Sequence, residues 1–176
     1  MCCNFPSLPA GIGRIILKKN ILRFFFALLL PLFLISCIGI DEFEKNTEIP
    51  AQKWYYKNVP EFTFHITDTI ALYNIYLTLR HTDNYNYNNI WLRMGMRRPA
   101  DSSTFQNVNL ILANDATGWE GSGLNDIFEV RKLVSRGPVT FPRQGDYTIS
   151  VAQIMRENPL ENILNVGIRI EKVSQP

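Results

Sequence analysis

Ile90-Trp91-Leu92-Arg93-Met94-Gly95-Met96-Arg97-Arg98 is the stretch that decides the fold. Ile90, Leu92, Met94 and Met96 alternate with Trp91, Arg93, Gly95 and Arg97. A period of two gives a strand one dry face and one wet face. Working outward, the same alternation recurs on both sides. Upstream, Phe62, Phe64 and Ile66 share one face of a strand over 62–67, and Tyr73, Ile75, Leu77 and Leu79 share one face of 72–80. Downstream, Val108, Leu110 and Leu112 line 106–112, Tyr147, Ile149 and Val151 line 147–153, and Leu164, Val166, Ile168 and Ile170 line 164–170. Residues 127–134 read as a strand of weaker alternation. The connectors 82–89, 114–125, 137–138 and 143–146 are rich in Asn, Gly and Pro, the residues that make turns. Seven or eight short strands so spaced predict an all-β protein, an antiparallel β-sandwich over residues 53–176. One or two helical turns are expected at 153–157, stopped by Pro159.

The composition agrees with one ordered domain. The chain has 176 residues, 46% hydrophobic and 12% aromatic, with 18 Lys+Arg against 16 Asp+Glu. A net charge of +2 leaves no clustered basic footprint for nucleic acid.

That charge is unevenly placed. Arg14, Lys18, Lys19 and Arg23 precede an apolar run over 24–35, and no acid occurs before Asp41. A basic region followed by a short apolar one is an export signal. Twelve residues rise only about 18 Å as a helix, short of a hydrocarbon core of about 30 Å. The run ends in Leu34-Ile35-Ser36-Cys37, which resembles a bacterial lipobox. Residues 1–36 are therefore expected to be cleaved, with Cys37 lipidated on its thiol and its freed amine acylated, by palmitate for example. Two or three acyl chains give lasting membrane attachment where one is marginal. The stretch before Leu17 is long for such a signal, and a start near Leu17 would give one of ordinary length. The processed chain would hold 14 basic against 16 acidic groups and one Cys, so no disulfide framework. Residues 37–52, with Asp41, Glu42, Glu44 and Glu48, read as a flexible acidic tether.

Chemistry is sparse in what remains. His65 reads as an exposed strand residue between Thr63 and Thr67. His81 and Asp83 flank Thr82 and could form a base and its orienter, but no nucleophile motif accompanies them. Gly121-Ser122-Gly123 is a turn, since Glu120 and Leu124 break the nucleophile-elbow spacing. Asp115, Glu120 and Asp126 bracket a Gly-rich loop, yet match no calcium-loop spacing. No phosphate loop, dinucleotide fingerprint or HExxH occurs. No catalytic residue, metal or cofactor is expected. The aromatic residues Trp54, Tyr85, Tyr87, Trp91 and Trp119 lie in or near loops, where they either cap the core or present a surface for a protein partner or a glycan.

Four ordered blocks then carry a resemblance. They are Arg80-His81-Thr82-Asp83-Asn84-Tyr85-Asn86-Tyr87-Asn88-Asn89-Ile90, then 118–127, then Phe141-Pro142-Arg143-Gln144-Gly145-Asp146-Tyr147, then Val166-Gly167-Ile168-Arg169-Ile170-Glu171-Lys172. With the lipobox, they make the chain resemble the GldH family of gliding-motility lipoproteins of Bacteroidetes-type bacteria. Asn125 stands where that family usually has Gly, and Asn is the residue next best suited to positive φ. The resemblance implies a non-enzymatic envelope protein tied to gliding and type IX secretion. It implies attachment through Cys37, an outer-membrane site facing the periplasm, and envelope protein partners. Asp41 and Glu42 also resemble an acidic surface-export signal. A carbohydrate-binding surface lipoprotein is the alternative.

Overall fold

The computed structural model describes residues 42–173. The signal segment and Cys37 lie outside the described residues. Along the chain the strands are β1 (Glu42–Glu48), β2 (Lys53–Trp54), β3 (Glu61–Ile66), β4 (Tyr73–Thr82), β5 (Asn89–Arg97), β6 (Thr104–Ile111), β7 (Ala113–Asn114), β8 (Gly118–Trp119), β9 (Ser122–Leu124), β10 (Ile127–Leu133), β11 (Gly145–Gln153), β12 (Leu160–Glu161) and β13 (Ile163–Lys172). All seven alternating runs of the sequence are strands. They assemble as an antiparallel five-stranded sheet, β1-β13-β4-β10-β9, and an antiparallel four-stranded sheet, β3-β11-β5-β6.

The dry faces meet between the sheets. Ile75, Leu77 and Leu79 of β4 and Val166, Ile168 and Ile170 of β13 share one core with Phe62, Ile90, Leu92, Ile149 and Val151 of the other sheet. Burying each such side chain contributes about 1.5–3 kcal/mol. Aromatic rings fill one part of that core: Phe141 lies 5.5 Å from Phe64, 5.3 Å from Tyr73 and 4.8 Å from Tyr147 between ring centroids. Tyr147 is fully buried, and its hydroxyl is satisfied by donating to the Arg143 carbonyl (2.9 Å).

Three expectations change. The acidic stretch read as a flexible tether is largely β1, paired residue by residue with β13 from Glu42↔Glu171 to Glu48↔Asn165. Its acidic side chains lie on the outer face of an edge strand. Arg169 donates through Nη1 to Glu44 (2.7 Å) and through Nη2 to Glu42 (2.6 Å). Phe43 turns inward, 5.6 Å from the Phe64 ring. The hydrogen bond from Arg169 is the main reason the Glu44 carboxyl is held below its ordinary pKa. The helical turns expected at 153–157 do not form. Gln153 ends β11 instead, donating to the carbonyls of Trp54 (3.2 Å) and Glu157 (3.0 Å) and accepting from Met155 N–H (2.9 Å). Those bonds fold the segment into a turn stapled to Trp54. Finally, Ile163 takes the buried place expected of Leu164, because a bulge between Ile163 and Asn165 shifts the alternation.

Two local devices fix the first sheet. Gly167 lies between Asn46 on β1 and Thr78 on β4. The Thr78 hydroxyl donates to Asn46 Oδ1 (2.7 Å) across it, where a Cβ would collide with both groups. Asn125 and Asp126 join β9 to β10 as a two-residue turn with φ of 49° and 63°. Positive φ at both positions is the type I′ hairpin geometry, and Asn tolerates it.

Candidate interaction surface

The outer face of β5 carries the residues that alternate with its buried ones. Trp91 is 43% exposed there. Its N–H points at Met155 Sδ (3.2 Å), and its carbonyl accepts from Ile154 N–H (3.0 Å). Tyr56 reaches the same segment, donating its hydroxyl to the Met155 carbonyl (2.7 Å). Trp91, Tyr56 and Ile154, all exposed, thus lie beside the turn that carries Met155. Further along, Phe105 of β6 is 57% exposed, with the Arg93 guanidinium 4.6 Å above its ring. Gly95 makes that ring position available: a Cβ on it would come within 2.8 Å of Phe105 Cε1. An aromatic lying over a strand glycine restores contact that the glycine gives up.

The other aromatic candidates are placed differently. Trp54 is fully buried, its indole N–H donating to the Asn58 carbonyl (2.7 Å). Tyr85 is buried too, with its hydroxyl donating to the Asn89 carbonyl (3.1 Å). Burial pushes that phenol well above its ordinary pKa. Both are therefore core rather than binding surface: each polar tip finds a backbone partner, so the ring can be buried at little cost. Tyr87 is half-buried, 5.7 Å from the Tyr85 ring, and its pKa is raised chiefly by a hydrogen bond with Glu157. Trp119 is half-buried and packs edge-on to His81, with ring centroids 4.6 Å apart. Of the five, Trp91 alone is well exposed.

His81 sits in an aromatic cage of Trp119, Tyr85 and Phe128 and is fully buried. Its Nδ1 faces the Thr82 carbonyl (2.8 Å) and so carries the proton, while Nε2 is buried without a partner. Burial lowers its pKa. Asp83 is exposed and gives His81 no hydrogen bond; its N–H donates to the Asp126 carbonyl (2.9 Å). The base and orienter pairing is thus not assembled, because the imidazole is turned into the core. His65 is exposed, with Nδ1 2.7 Å from Asp146 Oδ1. Glu120 pairs with Lys132, and Asp115 accepts from Asn88 (3.1 Å). Among the described residues no three His, Cys, Asp or Glu converge on a metal position.

The GldH lipoprotein family matches residues 41–170. The chain belongs to that family. It is similar to the gliding motility lipoprotein GldH of Flavobacterium johnsoniae, at 29% identity over 82% of this chain and 93% of the relative. It is similar also to the GldH homolog of Christiangramia forsetii, at 28% identity over 75% of this chain and 82% of the relative. The GldH blocks of the sequence map onto the structural devices above. His81 and Tyr85 in the first meet Trp119 in the second, Phe141 and Tyr147 in the third meet edge to face, and Gly167 and Arg169 in the fourth hold β1.

Sequence reasoning did not find Ile154, Phe105 or Ile111 as surface residues. For the β6 pair a signal existed: Thr104-Phe105-Gln106-Asn107-Val108-Asn109-Leu110-Ile111 contains no charged residue.

Proposed function

We propose that this GldH-family chain is a non-catalytic envelope lipoprotein. It is anchored through Cys37 in the outer membrane, faces the periplasm, and supports the gliding and type IX secretion machinery by protein contacts. The names of its relatives support the motility role. The observation that carries the reading is the start of β1 at Glu42, five residues after Cys37. Five extended residues span at most about 17 Å. Acyl chains on Cys37 would hold the Glu42 end of the sandwich beside the headgroups and present its outer faces to neighbours. The parts are then a signal over 1–36, a short link over 37–41 and a sandwich from 42.

Replacing Cys37 with Ala tests the anchor. The variant should leave the membrane fraction, and cells carrying it should lose gliding. Retention in the membrane with full motility would overturn the reading. The carbohydrate alternative now rests on Trp91, the one well-exposed ring of the five. Trp91→Ala should leave glycan retention unchanged if protein contact is the function.

A further inference from the structure

An exposed sheet edge invites another strand, and folded proteins protect edges with charge, proline, bulges or shortness. Three edges here are protected in that way. β1 carries Glu42, Glu44, Lys45 and Glu48, β3 carries Glu61 and His65, and β9 is only three residues long. β6 is the exception. It is the outer strand of the four-stranded sheet, eight residues long, with no charge and no proline.

Among the described residues no strand pairs with its other side. Leu112 N–H donates to the Asn88 carbonyl (2.8 Å), which sets the phase of the β5–β6 ladder. By the alternation of an antiparallel ladder, the N–H and C=O groups of Phe105, Asn107, Asn109 and Ile111 then point away from β5. A second feature lies beneath the same edge. Thr104 and Gln106 point to the inter-sheet side yet are exposed. They border a cleft of about 500 Å³ walled by Met94, Met96, Val134 and Val139. Arg98 and Arg136 also line it, and neither makes an ion pair among the described residues. Methionine walls adapt readily to different side chains.

We infer that β6 is the docking edge for an extended segment of another envelope protein, which adds as a fifth strand. Backbone hydrogen bonds give the affinity, alternate apolar side chains enter the cleft, and a carboxylate of the segment meets Arg98 and Arg136. This rests on the reading above, that the chain works by protein contacts from a membrane anchor. A second copy is a poorer occupant. Its own β6 offers no carboxylate to meet Arg98 and Arg136.

The test places a photo-cross-linking amino acid at Asn107 or at Gln106 in the full-length protein, in native cells. Both positions should capture the same partner at adjacent residues of one extended segment, since neighbouring residues of an added strand face opposite sides. Asn109→Pro removes an outward N–H and leaves the β5 ladder intact. It should cut the Asn107 adduct at least tenfold with little change in melting temperature. Should that variant not fold, Gln106→Glu, at an exposed position, puts a negative charge in the cleft that repels the segment's carboxylate and should have the same effect. An adduct between two copies of the chain, or one untouched by the blocking variant that folds, overturns the inference. So does failure to cross-link from β6 while affinity capture of the lipidated protein still recovers motility or secretion components, which leaves the proposed function standing. Absence of partners by both methods overturns both.

Discussion

Replacing Gly167 with Ala probes how closely β1 is fitted to the sheet. The new Cβ would sit inside contact distance of both Asn46 Oδ1 and Thr78 Oγ1, so the 2.7 Å hydrogen bond between them must open. Losing that bond costs about 1 kcal/mol, and stranding the buried Thr78 hydroxyl costs about 1–3 kcal/mol. Against this, Ala is preferred over Gly in an extended backbone by roughly 0.5–1 kcal/mol. The net expectation is a loss of about 1–3 kcal/mol. For a domain of this size that is roughly 3–12 °C in melting temperature. Thermal and urea unfolding, followed by circular dichroism, would measure it. The decisive version is a double-mutant cycle with Asn46→Ala, which removes the nearer of the two groups that the new methyl strikes. Gly167→Ala should then cost at least about 1 kcal/mol less than in the parent. If the two costs add within about 0.5 kcal/mol, the bridge over Gly167 is not what constrains that position.

Other outcomes follow from the same structure. Arg169→Ala should cost about 2 kcal/mol, between the exposed and buried ion-pair ranges, because its side chain is 17% exposed. Hydrogen exchange should show β1 amides losing protection before the rest of the sheet. The Glu44 carboxyl is held below its ordinary 4.5, so its contribution is full above that pH and lost as pH falls through the folded value. Arg169→Ala should remove that part of the acid transition. His81 gains a charge on protonation where Glu44 loses one, with the same direction of loss: its folded pKa lies below 6.5, so the unfolded chain takes the proton first and stability falls as pH drops below 6.5. His81→Phe should flatten that slope in pH-dependent melting curves. Asn125→Gly should be neutral within about 0.5 kcal/mol, while Asn125→Val should cost about 1–3 kcal/mol, since a β-branched residue is strained at φ 49°. Equal melting temperatures for the two variants would contradict the hairpin assignment.

The strands that were legible in the sequence are those with one face on the core. In β4, Tyr73, Ile75, Leu77 and Leu79 repeat every second residue and all are buried. β1 was not legible, because an edge strand keeps a charged face when a distant partner neutralises it. Glu42 and Glu44 read as solvated until Arg169, more than a hundred residues later, is placed beside them. Gln153 misled for a related reason. Its side chain ties together Trp54, Met155 and Glu157, and no local periodicity encodes such a tie. The aromatic candidates divide by the same rule. Trp54 and Tyr85 look exposed from their polar, loop-like neighbours, but backbone carbonyls from nearby turns satisfy their polar tips and allow burial. Trp91 was readable as outward-facing, since it sits out of phase with Leu92 and Met94.

The entry point of the chain has a mechanical meaning. Any load borne by the segment before Glu42 is delivered to the first residue of β1, which pairs with β13 at seven successive positions. Tension along the strand axis strains those rungs together, in shear, whereas a sideways pull would open them one at a time from the Glu42 end. Arg169 grips Glu42 and Glu44 at that loaded end. A protein held at its N-terminus by lipid while a neighbour drags on its body would therefore resist best when the drag runs parallel to the strands. The stiffness of the attachment would then depend on the direction of the force, and single-molecule pulling along the two axes would resolve the difference.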